Sequence, residues 1–468
     1  MRRLSRTTLI TVFCLAVLAG LGLARKINLE LPLWLLLPAT LYLLLLKPKN
    51  AVGLVIVLFL GLSLGLWRGD HYMQKYRTLQ VLALQKVTIQ ATATIDSIYG
   101  NKSQIQFTGN NIELIKPRHQ PLAGSFKLSG FGERMVYKGD RVQVSGKLYP
   151  SRGSNQATIA YAQLTELSPG HSLFDNIARH FSAGMQSALP EPTASFAMGL
   201  LVGQRNTLPL DITAALTAVG LVHIIAVSGY NLTIMIRAAS RLKLGSKYQK
   251  LILSLGLIAA FVLITGFSAS IVRAAIVSIL TLWAWYYGRR IKPLVLIGFA
   301  AAVTAFWNPF YIWGDTSWYL SFLAFFGVLV IAPLISARFF KKPPKLLTMV
   351  VLETLSAEIM TLPLILMTFN QLSIIALVAN ALVVPLVPLA MLLSAVAGAA
   401  GALVPQFAGW LAFPAKLLLT YMLDVVHIMS NIPSVLIHRS ISLPYMIALY
   451  ALALSLVLVI HKKLPKNR

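Results

Sequence analysis

The chain has 468 residues, of which 57% are hydrophobic and only 12% are charged. This composition excludes a soluble domain built around one core and indicates an integral membrane protein. Lys and Arg number 41 against 14 Asp and Glu, which gives a formal net charge of +27. Such an excess suits the positive-inside bias of a multi-pass protein, and it also suits a polyanionic ligand. Cys14 is the single cysteine, which excludes a disulfide framework and a cysteine metal site.

Three apolar runs open the chain, at 7–24, 31–46 and 51–67, and predict a domain of transmembrane helices over 1–67. The basic start, Met1-Arg-Arg-Leu-Ser-Arg6, resembles that of a secretory signal. No small-residue cleavage site follows it, so we expect the first helix to be retained.

Residues 68–170 are polar and alternate apolar with polar side chains, as from Val87 to Ile95. Turn sequences such as that at 138–140 interrupt the alternation, which predicts an inserted β-barrel of about five strands. The span carries 13 Lys and Arg against six Asp and Glu. Its aromatic residues therefore have two interpretations, as barrel core or as exposed rings that stack on single-stranded nucleic acid. They are Tyr99, Phe107, Phe126, Phe131, Tyr137, Tyr149 and Tyr161.

Residues 171–190 predict an amphipathic helix, because apolar side chains recur at helical spacing with polar ones between them. We expect this helix to lie on the membrane surface, and packing against the β-barrel is the alternative. The apolar positions are Leu173, Phe174, Ile177, Phe181 and Met185.

Residues 191–461 are mostly apolar and predict a larger transmembrane domain, which a basic tail follows over 462–468. Basic loops such as 237–250 alternate with loops that carry no Lys or Arg, such as 307–315. With the basic loops inside, the chain crosses the membrane about 12 times, both termini are cytoplasmic and the β domain is outside.

One predicted crossing, over 209–236, is unusually polar, since it contains His223, Ser228, Gly229 and Asn231. Polar groups are costly in hydrocarbon unless they meet a partner or a water-filled cavity, and a Ser-Gly pair weakens a helix. The segment is therefore expected to line a path, with a break at Ser228-Gly229. A hydrolytic pair of His223 and Ser228 is disfavoured, because an offset of five residues places them about 140° apart on a helix.

Two further clusters carry polar residues into apolar spans. Arg273, one turn after Ser270, needs water, a carbonyl or an acid. An ion pair with Glu353, Glu358 or Asp424 and a position facing the path of an anion are both open interpretations. Asp315 follows Asn308-Pro309, while Asn380 precedes Pro385 and Pro388 in a helix that these prolines interrupt.

The sequence contains no P-loop, no Gly-x-Ser-x-Gly elbow and no clustered histidine metal motif. We therefore expect neither an enzymatic activity nor a cofactor, and no catalytic residue is predicted.

At four points the sequence resembles the ComEC family of competence proteins. His223-Ile-Ile-Ala-Val-Ser-Gly-Tyr-Asn231 is similar to the family's His-Leu-Leu-Ala-Ile-Ser-Gly-Leu-His signature. Ser270-Ile-Val-Arg273-Ala resembles its Ser-x-x-Arg-Ala motif. Two later elements of the family are also matched. One matches Asn308-Pro309 with Leu320-Ser321-Phe322, and the other matches Pro363 with Asn380 to Pro385. Tyr230-Asn231 and Trp318-Tyr319 depart from the commoner Leu-His and Phe-Gln.

The resemblance implies an extracellular OB-like β domain. The predicted fold class is thus a polytopic α-helical membrane protein, with about 12 membrane segments, some of them re-entrant, and an inserted small OB-like β-barrel domain. The chain reaches Arg468 without the family's metallo-β-lactamase-like domain, so we expect any nuclease to be a separate protein.

The resemblance also implies a channel in a bacterial cell membrane that passes single-stranded transforming DNA into the cytoplasm. Expected partners are the DNA strand, the lipid bilayer, a cytoplasmic helicase or ATPase, and a separate DNA receptor. A small-molecule or lipid transporter on the same scaffold is the alternative, and an intramembrane hydrolase is the third. The expected residues of the DNA path are His223, Ser228, Gly229, Asn231, Ser270, Arg273, Asp315 and Asn380.

Overall fold

A computed structural model describes most of the chain, and its residues form two compact units. One unit comprises Met1–Asn176 and Gly288–Trp318, and the other comprises Ile177–Tyr287 and Tyr319–Arg468. The described residues are 6–27, 38, 51–94, 97–99, 104–122, 124–133, 135–150, 155–170, 173–203, 208–225, 232, 246–265, 269–289, 292–340, 342 and 344–462.

Helices dominate the described residues, and the strands are concentrated between the second and third helices. The helices are α1 (Arg6–Ala24), α2 (Ala51–Val81), α3 (Leu173–Ala188), α4 (Thr193–Val202), α5 (Leu210–Ala218), α6 (Val222–Ile225), α7 (Lys247–Thr265), α8 (Ala269–Tyr286), α9 (Pro293–Trp307), α10 (Phe310–Gly314), α11 (Thr316–Phe326), α12 (Ala332–Phe339), α13 (Leu346–Phe369), α14 (Ala376–Val383), α15 (Val387–Leu403), α16 (Ala408–Ser430) and α17 (Leu443–Lys462). The strands are β1 (Lys86–Ala93), β2 (Ile98–Tyr99), β3 (Ile105–Lys116), β4 (Gln120–Leu122), β5 (Phe126–Phe131), β6 (Arg141–Pro150), β7 (Ala157–Ser168), β8 (Gln371–Ser373) and β9 (Leu436–His438).

Seven helices in the described part of the chain are long and apolar enough to cross a membrane, and three shorter helices are also apolar. The predicted fold class is therefore confirmed in part, as a mostly helical protein with several candidate membrane-spanning helices and a separate β domain, while a total of about 12 crossings stays a prediction. The predicted crossing at 31–46 lies outside the described residues, apart from residue 38. The seven are Thr7–Ala24, Ala51–Val81, Thr316–Phe339, Thr348–Phe369, Ala376–Leu403, Pro405–Ser430 and Leu443–Ile460.

In the first unit, α1 and α2 touch through their backbones at glycines. A Cβ added to Gly65 would lie 2.2 Å from the carbonyl oxygen of Val17, and one added to Gly20 would lie 2.2 Å from that of Leu62. Small residues allow this approach in lipid, where helices associate by close packing. Gly61, Gly65 and Gly69 recur every four residues, as in the Gly-x-x-x-Gly motif of packed membrane helices.

The predicted boundary between residues 67 and 68 falls inside α2. The helix continues to Val81, and Leu79 and Leu82 are buried in the core of the β domain. Two polar contacts hold α2 in place. Gln156 Nε2 donates to Tyr72 Oη over 3.2 Å, and Arg68 donates to the last carbonyls of α9, those of Phe306 and Trp307.

In the β domain, strand pairing forms a circuit. The ladder runs from β1 through β6, β7 and β5 to β3, and β3 also pairs with β1. All pairs in this circuit are antiparallel except β5 with β7, which is parallel. Alternate side chains point inward along β1 and β6 and along most of β7, and Ile89, Leu128 and Ile159 are fully buried.

The structure divides the predicted aromatic set of this domain between core and surface. Phe107 and Phe126 are core residues, at 2% and 0% exposure. Phe131, Tyr137, Tyr149 and Tyr161 are between 39% and 67% exposed, and the side chain of Tyr99 lies outside the described residues.

In the second unit, the predicted amphipathic helix is present as α3, and it packs on α15. A Cβ on Gly401 would lie 1.8 Å from the carbonyl oxygen of Gly184, and Phe181 and Met185 lie beside Gly398. The part of the apolar face of α3 that carries Phe181 and Met185 is thus covered by a helix, whereas Ile177 is 58% exposed.

The predicted crossing at 209–236 is not one continuous helix. It begins as α5, turns at Gly220 and restarts as the four-residue α6. Gly220 has φ of 76°, and an added Cβ would lie 2.7 Å from that of Ala376, so both conformation and space require glycine. This break precedes the predicted one at Ser228-Gly229, which lies outside the described residues.

Two later spanning helices contain irregular turns. A π-helical turn at Gly327–Ile331 joins α11 to α12, and a 3-10 turn at Val384–Leu386 joins α14 to α15. The 3-10 turn confirms the predicted interruption of this helix. Its cause is that Pro385 and Pro388 lack the N–H that a regular helix would use. Pro363 does not end its helix, because α13 continues through it to Phe369.

Candidate functional site

Arg273 lies buried on α8, where it is only 7% exposed. Its Nε donates to Ser321 Oγ over 2.7 Å, and its guanidinium lies 5.7 and 5.1 Å from the ring centroids of Phe322 and Phe325. All three partners belong to α11, where Ser321, Phe322 and Phe325 share one face. The Ser-x-x-Arg-Ala and Leu-Ser-Phe motifs, far apart in the sequence, therefore meet directly.

The described partners of Arg273 bear on the ion-pair interpretation, while a position facing the path of an anion stays a prediction. Within the described residues they are a hydroxyl and two aromatic rings, none of them a carboxylate. Glu358 instead binds Asn380, so it is not the counterion of Arg273. Aromatic faces attract a cation without neutralising it. The site thus holds a positive charge inside an apolar helix pair.

The described residues satisfy only part of the hydrogen-bonding capacity of this guanidinium. Arg carries five N–H donors in a planar fork, and one of them is used among the residues that the structure describes. Guanidinium groups bind the oxygens of a phosphate with two parallel hydrogen bonds. The remaining donors give Arg273 the chemistry of an anion-binding group.

The remaining motif residues near α8 are described only in part. Ser270 belongs to the first turn of α8, but its side chain lies outside the described residues. Ser228, Gly229 and Asn231 lie outside them altogether. Their roles in a DNA path stay predictions.

His223 lies directly after the Gly220 turn. Its Nδ1 is 3.0 Å from the carbonyl oxygen of Gly220, and the side chain is exposed. This contact links the ring to the turn that starts α6.

Asp315 has a structural position in the first unit, at the start of α11. Its Oδ1 accepts hydrogen bonds from the backbone N–H groups of Ser317 at 2.9 Å and Trp318 at 3.3 Å, as a helix-capping residue does. Burial raises the pKa of the Asp315 carboxyl above its usual value, and these N–H groups partly offset that effect. The structure accounts for Asp315 as a cap.

Asn380 lies buried on α14, at 2% exposure, and its Nδ2 donates to Glu358 Oε1 of α13 over 2.6 Å. Its Oδ1 is buried and has no hydrogen-bond partner among the described residues. The sequence predicts a place for Asn380 on the DNA path, but it indicates Glu358 only as an ion-pair partner of Arg273. An acid in an apolar helix is itself a signal of function, and that signal could have identified Glu358.

The described residues contain no group of three or more His, Cys, Asp or Glu placed to hold a metal ion.

Comparisons with known proteins agree with the motifs. A family model described as Competence protein matches residues 200–463. ComE operon protein 3 of Bacillus subtilis (strain 168) is 27% identical over 226 residues, which is 48% of this chain and 28% of that protein. The chain therefore aligns with less than a third of the length of this relative, and no solved structure matches it. Since the family model covers more than half of the 468 residues, including α8, α11 and α14, the protein belongs to the competence-protein family of ComEC type.

Proposed function

We propose that this protein is a membrane channel that passes single-stranded DNA into the bacterial cytoplasm during natural competence. Arg273 is the observation that carries the proposal. A nucleic acid strand has one negative charge per nucleotide, so its route through apolar helices needs fixed donors in place of water. Arg273 supplies donors and a positive charge, and within the described residues no carboxylate competes for them.

The contacts of Arg273 also suit repeated binding and release. A hydroxyl and aromatic rings hold the side chain in place, but they leave its charge available to an anion. Conduction requires each binding site to be strong enough to admit the passing group and weak enough to release it. A single arginine held in this way meets both requirements. His223, Ser228, Gly229, Asn231 and Ser270 are proposed as further contacts along the same path.

We further propose that the β domain is an OB-like barrel that receives the strand outside the cell. The circuit of five strands, β1, β6, β7, β5 and β3, with a parallel β5–β7 pair, supports this proposal. OB barrels bind oligonucleotides on a strand face and its loops.

The outer face of β6 and β7 offers a surface for such a strand. Tyr149 and Tyr161 are exposed there, and Lys147 Nζ lies 5.9 Å from the ring centroid of Tyr149. Lys127 of β5 pairs with Thr158, which itself pairs with Tyr149, so a second cation borders the same face. Aromatic rings among cations bind single strands with little sequence preference.

The proposed location is a bacterial cell membrane, with both termini in the cytoplasm and the β domain outside. The charge distribution of the loops supports this orientation. A cytoplasmic helicase or ATPase would supply the work of transport, and a separate nuclease and a DNA receptor would act before entry. The channel itself is proposed to perform no catalysis.

The decisive experiment replaces Arg273 by Glu in competent cells and measures uptake of labelled DNA. We expect uptake to be lost while the protein stays in the membrane, because a negative charge would repel the phosphates. Arg273→Lys should retain part of the uptake, since lysine keeps the positive charge but lacks the planar guanidinium with its paired N–H donors.

Arg338→Glu is the matched control, because Arg338 is exposed at the end of α12. Membrane levels of all variants are compared by immunoblot. Wild-type uptake by Arg273→Glu would contradict the proposal. Transport of a lipid or small molecule by a variant that had lost DNA uptake would favour the alternative transporter.

A further inference from the structure

Glu358 and Asn380 form a polar pair between two helices, α13 and α14, that are otherwise apolar. The Nδ2 group of Asn380 donates to one carboxyl oxygen, Oε1, at 2.6 Å. Asn380 is 2% exposed and Glu358 is only partly buried. A carboxylate at this depth is costly unless a cation or several donors compensate its charge.

The compensation of this carboxylate is small within the described residues. One amide donor contacts it, and no salt bridge to Glu358 is found among them. The elements that pack against α13 are the π-helical turn, α12, α14, β8 and α17. Their charged or titratable residues are Arg338 on α12 and Tyr445, Tyr450, His461 and Lys462 on α17.

Among the described residues, the positions of these groups leave Glu358 without a cation from the elements that pack on α13. Arg338 lies in the last turn of α12 with its guanidinium over Phe339, and His461 and Lys462 end α17. Tyr450 Oη donates to the carbonyl oxygen of Met360 at 3.1 Å, so that hydroxyl is engaged by the backbone of α13. On α13 itself the other acid is Glu353, five residues before Glu358.

The side-chain amide of Asn380 lacks a hydrogen-bond donor among the described residues. Its Oδ1 is a buried acceptor without a donor in the described part of the chain. Buried polar atoms without a partner are rare in native structures and call for an explanation. Because Nδ2 already donates to Oε1, a proton on Oε2 would allow the acid to donate to Oδ1. Acid and amide would then share two hydrogen bonds in a ring.

We propose that Glu358 and Asn380 are a proton-binding site within the membrane helices. The carboxylate takes up one proton from water to become the neutral acid, and it returns the same proton to water. The Asn380 amide serves both states, as donor to the carboxylate through Nδ2 and as acceptor from the acid through Oδ1. The neutral acid would also remove a negative charge from the domain that, under the proposed function, admits phosphates.

Infrared difference spectroscopy of the full-length protein in lipid nanodiscs tests this site without DNA, so its outcome is independent of the proposed function. We expect the carbonyl band of a protonated carboxyl near neutral pH, and its loss as the pH is raised. The band should be missing from Glu358→Gln, which mimics the neutral acid and should fold. It should persist in Glu353→Gln, the matched control on the same helix.

Two further measurements identify the partner and the ligand. Asn380→Leu, of similar volume, should shift the frequency of the Glu358 band, because the hydrogen bonds to the acid are lost. If that variant does not fold, Glu358→Asp should give a shifted band in its place. A spectrum unchanged between wild type and Glu358→Gln over the whole titration would overturn the proposal. So would a titration midpoint that moves with sodium or potassium at constant ionic strength, since a metal ion would then be the ligand.

Discussion

At the scale of single residues, three of the polar groups described in the apolar helices have definite contacts. Arg273 binds Ser321, Glu358 binds Asn380, and Thr304 donates to the backbone of its own helix α9. Unpaired polar groups are costly in hydrocarbon, which is why the folded chain brings them together. Arg273 and Asn380 have hydrogen-bonding groups without a partner among the described residues. We therefore expect a ligand at these positions.

Asp315 gives a prediction at this scale, because the structure assigns it to capping. Asp315→Asn should keep the hydrogen bonds from Ser317 and Trp318 and leave DNA uptake intact. Asp315→Ala should lower the free energy of unfolding by about 1 kcal/mol, the usual cost of a lost cap. Tryptophan fluorescence during thermal unfolding of the purified protein measures the stability of both variants. Uptake of labelled DNA by competent cells is measured separately.

The stability of the wild-type protein should depend on pH through the Asp315 carboxyl. Burial raises the folded-state pKa of Asp315 above its unfolded value, so the contribution of the carboxyl to stability is greatest at low pH. That contribution is lost as the pH rises through the folded-state pKa. Asp315→Asn has no titrating group, and its stability should change less over the same interval. A loss of uptake in Asp315→Asn would return this residue to the DNA path.

At the scale of helices, glycines allow close packing of helices within the second unit, as they do within the first. Gly184 and Gly401 bring α3 and α15 into backbone contact, and Gly327 does so for the π-helical turn and Ser356 of α13. Such contacts allow little adjustment, because the obstructing atoms belong to the backbone.

Gly401→Ala tests this packing. An added Cβ would lie 1.8 Å from the carbonyl oxygen of Gly184, so α3 must move away from α15. We expect the free energy of unfolding to fall by about 1–3 kcal/mol, as for other overpacked sites. Chemical unfolding in mixed micelles provides the measurement.

Gly409→Ala is the matched control for the helix-packing prediction. This glycine also lies in a helix, α16, but its added Cβ would meet no atom of the described chain within 4 Å. It should be neutral, or stabilising by about 0.5–1 kcal/mol, since alanine is the better helix former. Equal destabilisation by both substitutions would show that the α3–α15 contact is unimportant.

At the scale of the whole molecule, the net charge of +27 and the basic β domain predict salt-dependent binding of single-stranded DNA. For the full-length protein in nanodiscs, the logarithm of the binding constant should fall linearly with that of the salt concentration. The slope should be about −0.7 for each phosphate that is neutralised. Binding that does not respond to salt would favour the alternative transporter.

Substitution of the exposed rings locates this binding on the β domain. Tyr149→Ala and Tyr161→Ala should each weaken it by about 1–3 kcal/mol, the usual value for one stacked base. Tyr248→Ala, which removes an exposed ring outside the β domain, should not. Equal effects of all three would exclude the β6–β7 face as the binding surface.

The sequence by itself determined the class of the molecule. Apolar runs and charge distribution indicate a multi-pass membrane protein, alternation and turns indicate the β domain, and four motifs indicate the family. These features are local, since each depends on residues close together in the chain. For the same reason Arg273 and Asn380 could be identified as unusual.

Only the tertiary structure decided what those residues contact. Arg273 meets Ser321 across 48 positions and Asn380 meets Glu358 across 22, and helical periodicity within one segment does not predict such pairs. The Gly220 turn and the extension of α2 to Val81 likewise depend on remote neighbours, Ala376 and the β-domain core. Pattern in a sequence shows which side chains share one face of an element. The packing of elements against each other selects the partner of that face, and this selection follows from the close approach of backbones and from the cost of unpaired polar groups.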